Sequence, residues 1–84
     1  MKEHGRTVHV HYYALLREQS GISDETVHTE AETVLDLFVE LNERYHFAAR
    51  PERLKVALNA EFRNWDDKIS HGDTIVFLPP VAGG

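Results

Sequence analysis

The sequence predicts an α+β domain in which one amphipathic helix lies on one face of a mixed sheet of four to five strands. Three observations predict it. Residues 7–14 alternate cleanly, with Val8, Val10 and Tyr12 on one side and His9, His11 and Tyr13 on the other, the period-two pattern of a half-buried strand. Between residues 33 and 46, Val34, Leu37, Phe38, Leu41 and Tyr45 recur at three- and four-residue spacing, which makes one apolar helical stripe. Near the other end, Ile75-Val76-Phe77-Leu78 is an unbroken run of strand formers, as expected of a buried strand.

Each element follows from local chemistry. After the first strand, Leu15 to Gln19 form a short helical turn closed by Ser20-Gly21, with glycine at the C-terminal cap. Thr26 to Thr29 hold enough β-branched residues for a short second strand. Thr33 is placed to cap the main helix, and Asp36 stands near the positive end of its dipole. His46 to Arg53 is a polar connection broken by Pro51. Lys55 to Leu58 alternate again, with Val56 and Leu58 on one face, and Asn59-Ala60-Glu61 is a hairpin turn from which Phe62 begins the return strand. Asn64-Trp65-Asp66-Asp67 is rich in turn formers, Ile69 plugs the core below it, and His71-Gly72-Asp73 makes a tight turn that launches the last strand. If the first and last strands lie side by side and parallel, the order is that of a β-grasp, or ubiquitin-like, domain. Residues 1–84 are then one domain from which residues 79–84 project as a tail.

Composition bounds the function. With 84 residues there is room for one modest core. A formal charge of −5 argues against nucleic acid, whose readers carry a basic face, and suits a protein partner with a basic surface. With no cysteine there is neither a disulfide nor a catalytic thiol. No stretch has transmembrane length and residues 1–6 lead into no apolar signal region, so the expected location is the cytosol, with no membrane partner. Six histidines are many for this length, and His9 and His11 share a strand face. Two ligands make no closed site, no carboxylate is evidently placed beside them, and no metal is expected.

The chemistry gathers at the tail, Leu78-Pro79-Pro80-Val81-Ala82-Gly83-Gly84. Pro79 and Pro80 end the sheet, since proline has no N–H for a ladder, and they stiffen the exit. Gly83 and Gly84 have no side chains, so they can enter a channel too narrow for other residues. The group presented there is the Gly84 carboxylate, a poor acylating agent until it is activated, most simply as an acyl-adenylate made from ATP. Replacement by sulfur then yields a thiocarboxylate; attack by an amine yields an amide conjugate. The plainest alternative is a frayed terminus on an inert interaction module.

Four stretches resemble a known family: Tyr12-Tyr13-Ala14-Leu15-Leu16-Arg17-Glu18 followed by Gly21, Val56-Ala57-Leu58-Asn59, Gly72-Asp73, and the segment from Phe77 to Gly84. The combination resembles the ubiquitin-like sulfur carriers of MoaD/ThiS type and, within them, the small subunits of molybdopterin synthase. The Pro-Pro-Val-Ala-Gly-Gly ending is the specific piece. The resemblance implies that an adenylyltransferase of the ubiquitin-activating type adenylates Gly84, which then becomes a thiocarboxylate. The tail, Pro79 through Gly83, would insert into a large catalytic subunit. There it would deliver sulfur to a cyclic pyranopterin precursor, forming the dithiolene of the molybdenum cofactor. The assembly implied is a heterotetramer of two small and two large subunits. The small chain holds no cofactor and is not catalytic alone; ATP is used by the activating enzyme and the pterin is held by the large subunit. Matching motifs place the docking patch on Tyr13, Phe62 and Leu78. Arg17 either meets an acidic partner surface or caps the negative end of the short helix. The same chemistry with another recipient (thiazole, cysteine or thiolated tRNA) and a protein modifier linked through Gly84 are the alternatives.

Overall fold

A computed structural model of the chain describes residues 5–79. Its elements run β1 (Arg6–Tyr12), α1 (Ala14–Ser20), β2 (Asp24–Thr29), α2 (Val34–Tyr45), a 3-10 turn (Pro51–Arg53), β3 (Lys55–Leu58), β4 (Glu61–Arg63) and β5 (Thr74–Leu78). The strands form one sheet in the order β2-β1-β5-β3-β4. β1 and β5 pair in parallel at its centre, Val10 opposite Ile75 and Tyr12 opposite Phe77, while the other pairs are antiparallel. This is the β-grasp.

The local signals act as their chemistry requires. The Thr33 hydroxyl accepts from the Asp36 N–H and caps α2. Gly21 ends α1 at φ +82° and donates its N–H to the Arg17 carbonyl, and Gly72 turns at φ +89° before β5. The β3–β4 hairpin has a two-residue loop, Asn59-Ala60, both at positive φ (51° and 73°), between the register partners Leu58 and Glu61. Such a loop matches the right-handed twist of the flanking strands, and the Asn59 side chain ties it to β5 by accepting from the Thr74 N–H at 2.9 Å.

The core lies between α2 and one face of the sheet. Val8, Val10 and Tyr12 of β1, Val56 and Leu58 of β3, and Ile75 and Phe77 of β5 meet Val34, Leu37, Phe38 and Leu41 of α2, all buried. Phe38 is its hub: its ring lies 5.3 Å from Phe77, 5.5 Å from Trp65 and 5.8 Å from Phe47. The connection after α2 is therefore not the polar linker that its composition suggests. Phe47 and Leu54 are buried in the core cluster, and the Phe47 ring packs against Tyr12, Phe38 and Tyr45.

A polar network closes that layer toward β2. The Glu25 carboxylate accepts from the Tyr12 hydroxyl at 2.6 Å and the Tyr45 hydroxyl at 2.8 Å, and Arg44 stands 3.7 Å away. Burial first, and the bond to Glu25 second, push the Tyr12 hydroxyl far above the ordinary tyrosine range. Tyr45 is raised in the same direction by the same two causes.

Candidate functional site: an exposed sheet face and the root of the tail

The face of the sheet turned away from α2 is set by strand alternation. Register pairs place Phe62 opposite Ala57, Ala57 opposite Val76, Val76 opposite His11 and His11 opposite Asp24. One row therefore crosses all five strands from an apolar end to a polar one. In the neighbouring row Leu78 pairs with Lys55. Tyr13 follows Tyr12 and Leu78 follows Phe77, and Tyr12 and Phe77 are register partners, so Tyr13 comes beside Leu78 at the end of the sheet.

The three residues expected to dock thus share one face. Phe62 is 70% exposed, Tyr13 48% exposed and Leu78 half-buried. Val76, half-buried, and Ala57, almost covered at 9% exposure, lie between them on the same face. Sequence reasoning missed both, because strand pairing alone sets them beside Phe62 and Leu78; the alternation within β5, which put Val76 in step with Leu78, was the available signal. Arg17 lies on α1, outside this row. Its backbone carbonyl closes the Gly21 cap, and its exposed guanidinium has no carboxylate within 4 Å among the described residues.

The root of the tail is built into the centre of the sheet. β5 is held on one side by β1 and on the other by β3, so Leu78 delivers Pro79 from the middle strand of the sheet. Pro79 is half-buried and borders an apolar groove with Leu15, Leu16, Ala48 and Ala49, where Arg50 and Arg53 supply positive charge. Pro80, Val81, Ala82, Gly83 and Gly84, to which the sequence assigns tail insertion and the reactive carboxylate, lie outside the described residues.

At the other end of the row, one sequence expectation needs correction. A carboxylate does stand beside the paired histidines. Pairing of β1 with β2 sets Asp24 directly opposite His11, and its Oδ1 lies 3.3 Å from His9 Nε2. Neighbouring strands bring together residues fifteen positions apart, which no local pattern reports.

The family model described as the ThiS family matches residues 10–84. The molybdopterin synthase sulfur carrier subunit of Haemophilus influenzae is 29% identical over 80 residues, covering 92% of this chain and 99% of that protein. Among solved structures, a putative molybdopterin converting factor subunit 1 from Pyrococcus furiosus superposes with a TM-score of 0.77 at 27% identity, over 90% of this chain and 99% of its own. A complex of subunits 1 and 2 of the molybdopterin-converting factor from Helicobacter pylori contains a chain that matches with a TM-score of 0.63 at 26% identity, over 93% of this chain and 99% of its own.

Proposed function

Because this chain belongs to the ThiS family, we propose that it is the sulfur carrier of a molybdopterin synthase, with Gly84 as the carrying residue. The observation that bears most of the weight is the near full-length match to a relative that is named as such a carrier, in a chain whose last residues are Pro-Pro-Val-Ala-Gly-Gly.

The reaction sequence is as follows. The Gly84 carboxylate attacks the α-phosphate of ATP on an activating enzyme, forming the acyl-adenylate and releasing pyrophosphate. A sulfur nucleophile displaces AMP and leaves a thiocarboxylate. On the large subunit the thiocarboxylate sulfur attacks a side-chain carbon of the pterin precursor and displaces an oxygen substituent there, and water cleaves the resulting thioester, leaving sulfur on the pterin and returning Gly84 to the carboxylate. A dithiolene takes two such deliveries. The chain contributes position rather than acid–base chemistry. Phe62, Val76, Leu78 and Tyr13, with Ala57 beneath them, seat the body on its partner, and β5 aims the segment beginning at Pro79. Pro79 and Pro80 hold that segment extended, and Gly83 and Gly84 keep it thin. The titratable groups with shifted protonation, Tyr12, Arg44 and Tyr45, surround Glu25 on the opposite, helix-covered side of the sheet, where they serve the fold.

The test is intact mass. The pure chain is incubated with cytosolic extract of its host, ATP and a sulfur donor, and one oxygen at Gly84 is expected to be replaced by sulfur only when ATP is present. Adding the large subunit and pterin precursor then discharges the thiocarboxylate. If the extract thiolates a known carrier and leaves this chain unchanged, the sulfur reading fails. If the chain is charged but discharges only to thiazole, cysteine or tRNA acceptors, the recipient is corrected and the carrier chemistry stands. Isopeptide-linked products on lysines in its place would identify a modifier.

A further inference from the structure

We propose that His9, His11 and Asp24 form a site for one borderline divalent transition metal of the zinc class. The site lies on the exposed sheet face, at the polar end of the row that begins with Phe62.

The ligand set is geometric. His9 and His11 alternate onto the same side of β1, and their rings stack with centroids 4.8 Å apart and planes 22° from parallel. Asp24 is added from β2 by the register that pairs it with His11. One ligand atom from each of the three lies within 4.8 Å of the other two. Bonds of about 2.0–2.1 Å around a tetrahedral zinc put ligand atoms about 3.3 Å from one another, and His9 Nε2 already stands 3.3 Å from Asp24 Oδ1. The His11 ring, within 4.8 Å of both, is the ligand that has to close in.

Two of the other described histidines have their rings engaged elsewhere. His71 Nδ1 accepts from the Thr7 N–H at 3.1 Å, and the His28 ring lies against Thr7, its Nδ1 3.3 Å from Oγ1. His46 sits at φ +58° as the C-terminal cap of α2, its N–H bonded to Asn42. None of the hydrogen bonds among the described residues uses the His11 ring, and it is His11, not His46, that stands with a second histidine and a carboxylate. Two imidazoles and one carboxylate favour zinc, nickel or copper over magnesium or calcium, which prefer oxygen shells. Three protein ligands leave a coordination position open to solvent. Because His11 is the register partner of Val76, that position borders the apolar part of the face. The site is independent of the reading of Gly84.

Zinc titration of the chain by calorimetry, with heteronuclear NMR of the same samples, tests this. One Zn2+ per chain is expected, with shifts or broadening centred on His9, His11 and Asp24 and no comparable response to Mg2+. His11→Ala and Asp24→Asn should each weaken binding by at least what losing an outer-shell partner costs, roughly tenfold or more. A double His28→Ala, His71→Ala variant and a His4→Ala variant should bind like the parent. Far-UV circular dichroism of each variant confirms that it is folded, and the NMR map on the parent chain stands without any variant. Unchanged binding in His11→Ala or Asp24→Asn would overturn the site. So would perturbations spread evenly over the histidines, which would mean adventitious binding only, or an equal response to Mg2+, which would mean attraction to negative charge alone.

Discussion

Tyr12 should make this fold sensitive to alkali. Its side chain is 1% exposed and its hydroxyl donates to Glu25 at 2.6 Å, with Tyr45 bonded to the same carboxylate and Arg44 nearby. Burial, and then the bond to Glu25, raise its folded pKa far above that of a free tyrosine. The sign follows from linkage. Below pH about 10 the hydroxyl is protonated in both folded and unfolded chains, and its contribution is fully present. Above that pH the unfolded chain releases the proton while the folded chain keeps it, so stability falls as pH rises. One such group costs roughly 1.4 kcal/mol per pH unit in that range. Tyr45 acts in the same direction by a smaller amount, because it is partly exposed. The assay is urea unfolding followed by far-UV circular dichroism at pH 9, 10, 11 and 11.5, for the parent and for Tyr12→Phe. Near neutrality the variant should lose about 1–2 kcal/mol with the bond to Glu25. Above pH 10.5 the parent curve should fall more steeply than the variant's by roughly 1.4 kcal/mol per unit, so that the two converge. Parallel curves would refute the assignment of alkaline sensitivity to Tyr12.

Three further outcomes are expected. Ala60→Gly should stabilise the domain by about 1 kcal/mol, because Ala60 holds φ +73° where a Cβ is penalised; a lower urea midpoint would show that Ala60 makes a compensating contact. Phe47→Ala should cost about 3–5 kcal/mol, since the ring is 7% exposed and touches Tyr12, Phe38 and Tyr45; a midpoint within error of the parent would remove Phe47 from the core. Phe62→Ala should weaken docking to the large subunit by roughly 2 kcal/mol, as expected of an exposed aromatic anchor, and calorimetry giving parent-like affinity would take Phe62 out of the interface.

Much of this architecture is legible in one pass along the chain, because it is written in local patterns. The Thr33 cap, the stripe from Val34 to Leu41, the glycines at 21 and 72 and the alternation of β1 all report on neighbours within a turn or two of themselves. What escaped depends on strand pairing or on the path of a connection. Phe47 and Leu54 stand in a connection with no repeating pattern, and only tertiary contacts, such as those of the Phe47 ring with Tyr12, Phe38 and Tyr45, bury them. Glu25 looks like an ordinary acidic residue until β1, β2 and α2 bring two tyrosine hydroxyls to it. Asp24 joins His9 and His11 only through the β1–β2 register. The exposed sheet face was half legible for the same reason: alternation gave the side of each strand, and pairing supplied Ala57 and Val76 as the links between Phe62 and Leu78.

The parallel pairing of β1 with β5 also has a mechanical consequence. Parallel strands begin at the same end of a sheet, so Arg6 and Leu78 lie at opposite ends of this ladder. Tension applied between the front of β1 and the back of β5 loads their hydrogen bonds in shear, all together, rather than peeling them one by one. A grip on the residues after Leu78 pulls against β1 on one side and β3 on the other. A partner can therefore tug the chain forward by that handle, or an unfoldase can strain at it, and the body should resist until the whole central ladder fails at once.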